Sequence, residues 1–289
     1  MSTLYNLQDI TLLTFVRLDN EERIKNLRAM HGFYRKHCEN YTHIIVEDDK
    51  IPKVPAHLDL HEDDVYVYTR SDTEWNKCEG YNKGIKLSKT NIITLNDVDA
   101  IIHPDQLLEA KNILSNDPEA GMIYPFNGLF LCADVHLKNK FIEDCDYSIL
   151  DAMFPQELNE YDGNVGSELE VYHQHVNKTY NDVLVGHVAS KGGCVMGRRD
   201  NLIRCNGYNP RFKGWGYEDD EMPLRVNNLG YGVGRLPGVR KPCWHLHHFD
   251  GTGSAKETQE FHEHNRQECA RVEKCTRDEL QQYITQWRL

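Results

Sequence analysis

Two aspartates separated by one valine, Asp97-Val98-Asp99, follow the apolar run Asn91 to Leu95 (NIITL). Strand side chains alternate, so acids two positions apart share a face, and beyond the strand end each can aim separately. Carboxylate oxygens placed this way suit a hard cation such as Mg²⁺ or Mn²⁺, which keeps positions open for phosphate oxygens. One aspartate can ligate the ion while the other accepts hydrogen bonds from a ribose. The tripeptide by itself fits a solvated strand end better than a metal site, so the rest of the chain has to decide.

Two further clusters bear on that decision. Lys191 to Val226 reads KGGCVMGRRDNLIRCNGYNPRFKGWGYEDDEMPLRV. Gly192-Gly193 permits close backbone approach or a positive φ. Trp215, between two glycines, suits packing against a sugar face, and Glu218, Asp219, Asp220 and Glu221 follow it directly. Acids at a helix start favour the dipole, but four in a row repel unless a cation or a catalytic duty compensates. A carboxylate on a mobile Gly/Trp loop can serve as general base toward a hydroxyl acceptor. The third cluster, Cys243 to Asp250 (CWHLHHFD), carries His245, His247 and His248. His245 and His248 would point to opposite faces of a strand, so joint metal ligation requires a bend.

The elements that must position these groups alternate in type. Ile10 to Leu18, Thr42 to Asp49, Asp64 to Arg70 and Asn91 to Asp99 read as strands. Asn20 to Cys38, with Ile24, Leu27, Met30, Phe33 and Tyr34 at helical spacing, reads as a helix, as do Glu74 to Lys89 and His103 to Asp117. This order predicts an α/β fold with a mostly parallel central sheet, flanked by helices joined through right-handed crossovers. Ligands in such sheets lie at the carboxyl ends of the strands. Arg17, Glu47, Asp48, Asp49, Asp97 and Asp99 all fall there. Residues 121–186 are less regular: Gly121 to Leu137 could supply strands, Asp151 to Glu168 reads as loop, and the whole is a candidate acceptor-side insertion or lid. From Ala255 onward the chain is helical in composition.

The chain has 289 residues, 39% hydrophobic and 27% charged, a globular composition large enough for a sizeable core. A net charge of −12 argues against nucleic acid or an anionic membrane as partner. It also means that a phosphate-bearing ligand would need a cation or local Arg and Lys. Nine cysteines, scattered and without a CxxC pair, indicate neither a disulfide framework nor a zinc knuckle. With no signal-peptide pattern and no transmembrane segment of about 20 apolar residues, the reading is a soluble cytoplasmic or intracellular protein.

The order of the clusters, DVD, then GGCVMGRR, NGY, GWGYEDDE and finally the histidines, resembles the GT-A glycosyltransferases. The resemblance is closest to the galactosyltransferase-type branch that includes the beta-1,4-galactosyltransferases, and extends to the polypeptide N-acetylgalactosaminyltransferase catalytic domains. It covers residues 1–120 at the level of fold and 187–250 at the level of motif. It implies a Rossmann-like GT-A domain over 1–254, with a nucleotide-binding half (1–120), a smaller acceptor-side subregion (121–186), a catalytic and metal half (187–254), and a helical extension (255–289). Residue by residue, it implies Asp99 and His248 as ligands of Mn²⁺ (or Mg²⁺). Asp97 lies near ribose and metal, and His245 stands where the family has methionine. Which of His245, His247 and His248 completes the metal site stays open. Asp219 matches the catalytic base, and Glu218 and Asp220 the groups that position sugar hydroxyls. Trp215 matches the tryptophan that contacts donor and acceptor, with Gly193 in the glycine segment beside them. Thr14, Val16 and Arg17 match the first strand end at the nucleotide, Asp48 the uracil-binding acid, and Asn82 or Lys83 the group near the diphosphate. Tyr217 replaces a small glycine, a change expected to narrow the donor or acceptor pocket.

The implied activity is inverting, metal-dependent transfer of a hexose or N-acetylhexosamine from a nucleoside diphosphate sugar, UDP-linked, to a hydroxyl of a glycan or glycoconjugate. Its rivals are a retaining transferase of the N-acetylgalactosaminyltransferase type and a nucleotide-sugar-binding protein without turnover.

Overall fold

The strand Ile10–Val16 (β1) is buried along its whole length, as a strand covered by helices on both faces must be. It forms the middle of a sheet in a computed structural model that describes residues 4–71, 75–248 and 254–289. The other strands of the two larger sheets are Thr42–Asp49 (β2), Asp64–Arg70 (β3), Ile92–Asp97 (β4), Ala100–Ile101 (β5), Ala120–Tyr124 (β6) and Phe130–Ala133 (β7). Thr179–Tyr180 (β8), Val183–His187 (β9), Cys194–Arg198 (β10), Gly232–Arg235 (β11) and Cys243–Leu246 (β12) follow.

A seven-stranded sheet has the order β11-β6-β10-β4-β1-β2-β3. It is parallel except where β10 runs antiparallel to both β4 and β6, which matches the expectation of a mostly parallel sheet. The chain leaves β1 toward β2 and β3, then returns to the other side of β1 as β4. The order therefore reverses between β1 and β4, and the crevice beyond their carboxyl ends is where such a sheet takes its ligand. Phe15 and Asp97 are register partners at that point.

The Glu21–His37 helix, with Asn20 capping its first turn, links β1 to β2. The Lys77–Leu87 helix, capped by Asn76, links β3 to β4. The latter lies unusually close to β1, because Gly80 and Gly84 present no side chain to Phe15 and Leu13; a Cβ at either would stand 2.1 Å from those rings and methyls. A second sheet has the order β8-β9-β7-β12-β5. The chain passes from one sheet to the other through Val98 and Asp99, between β4 and β5.

Residues 121–186 are shared between the two sheets: β6 lies within the large one, and β7 and β9 within the small one. The stretch Asp151 to Glu168, read from sequence as loop, contains the end of a helix (Tyr147–Ala152), a 3₁₀ turn (Gln156–Leu158) and the start of the Val165–His175 helix. Helices of six and three residues are too short to display a 3.6-residue period, and Pro155 and Gly163 break what pattern there is. The C-terminal helices, Ser254–Lys274 and Arg277–Ile284, do not hang free: Val272, Leu280, Ile284 and Trp287 are buried in the common core. All nine cysteines are free thiols. Among the described residues no helix is long and apolar enough to cross a membrane.

Candidate active site

The turn after β4 is held from three sides. Asn96 Nδ2 donates to the carbonyls of Asp97 (2.8 Å) and Ala100 (3.0 Å). The Asp97 amide donates to the Gly193 carbonyl at 2.8 Å, and the Leu246 amide to the Asp99 carbonyl at 2.8 Å. These bonds hold Asp99, 6% exposed, beside the end of β12. Asp99 Oδ1 lies 3.6 Å from His245 Nε2 and Oδ2 lies 3.3 Å from His248 Nε2. The bend that joint ligation requires is present: β12 stops at Leu246, so His248 is free of strand alternation and turns toward the ring of His245, 5.1 Å away.

Asp99, His245 and His248 form a group able to hold a metal ion, and it includes neither His247 nor Asp97. The carbonyl of His247 is held instead by the buried Lys138 Nζ at 2.6 Å. Burial opposes the charge on Asp99, but the two imidazoles hold its carboxyl well below the usual range. Burial likewise opposes an imidazolium at His245, yet Asp99, with help from Cys132, pushes it up to about 10. Two imidazoles and one carboxylate suit a divalent first-row cation, and Asp99 carries the negative charge to hold one. Phe130 packs 5.1 Å from the His245 ring and walls the group on one side.

Gly193, expected at the ligand, serves the frame instead. Its φ is +90°, and a Cβ there would stand 2.9 Å from Cys243 Sγ and from the Phe130 ring. Gly193→Ala is therefore expected to cost about 1–3 kcal/mol, readable by urea unfolding, and to loosen the Asp97 amide bond.

Asp97, expected near metal and ribose, turns away from Asp99. Its Oδ1 accepts from Tyr81 at 3.0 Å and lies 3.3 Å from Lys77 Nζ. Lys77 is the residue that sequence reasoning missed. Its ammonium, on a side chain only 6% exposed, also stands 3.0 Å from Asp219 Oδ2 and 3.6 Å from Glu218 Oε1. It is the cation that balances Glu218 and Asp219, the first two acids of the run. Burial opposes its charge, but Asp219, Asp97 and Glu218 hold its pKa well above the ordinary lysine value. Nothing local could have announced it, since Asp219 lies 142 positions away.

The four acids take different duties. They belong to the first turn of the Glu218–Asn228 helix, not to a mobile loop as expected. Glu218 is buried and accepts from the Gly216 amide at 2.7 Å. Asp219 faces Lys77, and burial pushes its carboxyl up to about 7, with Lys77 pulling down and Glu218 and Asp97 pushing further up. Asp220, which the family pattern assigns to sugar hydroxyls, points outward and pairs with Lys191 at 2.9 Å. Glu221 is buried against Arg225 (2.6 Å), whose guanidinium also binds the carbonyls of Cys205 and Gly207 and so fixes the NGY turn. Trp215 is 53% exposed on the adjoining loop. Tyr217, expected to narrow the donor or acceptor pocket, has φ +68° and its hydroxyl meets His262 Nε2, on the Ser254–Lys274 helix, at 3.2 Å.

Beside these carboxylates lies a cleft of about 650 Å³, lined by Phe15, Asp48, Trp75, Lys83, Phe212 and Lys213 among others. Arg17 donates to Asp48 through Nε (2.9 Å, to the carbonyl) and Nη2 (2.5 Å, to the carboxylate) and stacks over Trp75. Lys83 Nζ donates to Thr69 at 3.1 Å on the cleft wall. Four expected nucleotide residues, Thr14, Val16, Arg17 and Asn82, do not line it. Thr14 and Val16 face the opposite side of β1 and are fully buried, Thr14 against His43; Phe15 lines the cleft in their place. Asn82 is occupied at both ends of its amide by the backbone of Tyr208, at 2.8 and 2.7 Å.

Residues 21–132 match the model of "Glycosyl transferase family 2", and residues 176–249 match that of "N-terminal domain of galactosyltransferase". No curated protein matches the chain. Among solved structures, the catalytic domain of Drosophila beta1,4galactosyltransferase 7 in complex with xylobiose aligns at 16% identity and a TM-score of 0.45, over 88% of this chain and 80% of that one. A mannosyltransferase from Pyrobaculum calidifontis in complex with GDP-Man and Mn²⁺ aligns at 14% identity and a TM-score of 0.49, over 89% and 64%. The two family models meet on the geometry above, one running from the Glu21–His37 helix through β2, β3 and β4 and the other holding Asp219, His245 and His248; both are glycosyltransferase models, so the chain is a glycosyltransferase similar to the galactosyltransferases, on a mixed α/β fold consistent with the GT-A type.

Proposed function

We propose that the chain moves a hexose or N-acetylhexosamine from a UDP-sugar to a hydroxyl of a glycan or glycoconjugate, with inversion, and that Asp219 is the base. One observation carries this reading. The Asp97-Val98-Asp99 turn is a seam: Asp99 belongs to the metal-capable group with His245 and His248, and Asp97 to the carboxylate group around Lys77 and Asp219. A leaving diphosphate and an attacking hydroxyl need opposite chemistry at neighbouring points, and the seam supplies both within three residues.

Asp99, His245 and His248 would hold Mn²⁺ (or Mg²⁺), which when bound neutralises charge on the departing diphosphate. The uracil and ribose would occupy the cleft at Phe15, Asp48 and Trp75, with Arg17 fixing the Asp48 carboxylate. Lys83 and Arg17 are the side chains placed to meet phosphate oxygens. Asp219, with its carboxyl near 7, is matched to accept a proton from a sugar hydroxyl at neutral pH. Trp215, exposed on the rim, offers an aromatic face to the acceptor ring and keeps water from the reacting carbon.

A screen of UDP- and GDP-sugars without acceptor tests this reading. The expected result is slow consumption of one UDP-sugar that requires Mn²⁺ or Mg²⁺ and disappears in Asp99→Asn. Turnover that survives a chelator, or is undiminished by Asp99→Asn, would overturn it.

A further inference from the structure

At the end of the central sheet away from the cleft, a second set of metal-ligating side chains converges. His43, near the start of β2, and Asp64, which opens β3, are register partners. His31 reaches them from the Glu21–His37 helix, and the three offer ligand atoms within 4.8 Å of one another. His31 is 6% and His43 0% exposed, and the Asp64 side chain is fully covered.

Each contact around the set resembles an outer shell, the ring of partners that orients metal ligands. His43 Nε2 faces Thr14 Oγ1 at 3.1 Å, and its Nδ1 is buried with no hydrogen-bond partner. Asp64 Oδ2 accepts from the His61 amide at 2.7 Å and lies 2.8 Å from His31 Nε2. Its Oδ1 is taken by Arg35. Burial opposes the charge on Asp64, but His31 and Arg35 hold the carboxyl well below its usual range. A cavity of about 360 Å³, bounded by His31, His57 and Asp59 among others, lies on the His31 side of the set.

We propose that His31, His43 and Asp64 bind a zinc-type divalent cation, which ties the Glu21–His37 helix to the sheet and takes no part in sugar transfer. Two imidazole nitrogens and one carboxylate oxygen, with a fourth position for water, are a donor set that zinc accepts. An ion there would use the Nδ1 lone pair of His43, which is otherwise buried without a hydrogen-bond partner. Arg35, on the other oxygen of Asp64, leaves that carboxylate a single ligating atom. It also offsets part of the negative charge, so the site is expected to bind more weakly than an all-cysteine one.

The test uses the full chain carrying Asp99→Asn, which disables the catalytic metal group, and Co²⁺ as a spectroscopic stand-in for Zn²⁺. Titration should give visible absorption bands saturating near one equivalent, bleached by Zn²⁺, and Zn²⁺ should raise Tm. His43→Gln added to this background should abolish both responses; His31→Asn serves if His43→Gln does not fold. Absence of bands and of a Tm rise in the Asp99→Asn chain would overturn the proposal, and so would responses that persist undiminished in the His43 or His31 variant.

Discussion

Asp219→Asn is expected to lower kcat by about 10²–10⁴-fold, the range that a positioned base contributes, while UDP binding changes little. The amide cannot take the hydroxyl proton. It leaves Lys77 with Asp97 and Glu218 as partners, so the fold survives. The cleft lined by Phe15, Asp48 and Trp75 does not include Asp219, which is why donor affinity should stay. Initial rates at saturating donor, set beside calorimetric UDP binding, separate the two quantities. An equal loss of both would make the acidic turn structural. The pH profile follows from the same group. A proposed base must act as carboxylate, and the Asp219 carboxyl is pushed up to about 7, so the rate should fall as pH drops through 7.

Lys77→Met is expected to cost about 3–5 kcal/mol of stability, because it leaves carboxylates close together without their buried cation. Urea unfolding measures this, and Lys77→Arg should recover part of it. In whatever fraction remains folded, the acid limb of the rate profile should move to higher pH. Lys77 pulls the Asp219 carboxyl down, while burial, Glu218 and Asp97 push it up. A Lys77→Met protein as stable as the parent, with the limb unmoved, would show that the ammonium is not what holds the carboxylates together.

Much of the frame was legible in the sequence because buried parallel strands announce themselves as apolar runs. β2 and β3 have the expected bounds, and β1 and β4 end within two residues of theirs. The same burial hid which side chains face the ligand. β1 is covered on both faces, so no polar alternation marks the cleft side, and the motif match put Thr14 and Val16 where Phe15 stands. The role of Asn82 was hidden for a related reason: a helix shows its neighbours three and four positions away, not the Tyr208 backbone that fills both ends of its amide.

The members of the candidate metal group were legible as residues to compare, since DVD and HLHH are short and chemically loud. The choice among the histidines depended on where β12 stops, and no residue type signals that. Lys77 was illegible altogether. A lysine at a helix start looks ordinary until β4 and the Glu218–Asn228 helix bring three carboxylates to it.

The central claim is a metal-dependent displacement in which Asp219 activates the nucleophile on the face opposite the diphosphate. The most direct measurement is the configuration of the first-formed product, read by ¹H NMR from the anomeric coupling of the sugar released from the α-linked donor in Mn²⁺, before mutarotation. The account predicts the β-anomer. An α-anomer formed first would contradict it and transfer the assignment to a retaining enzyme.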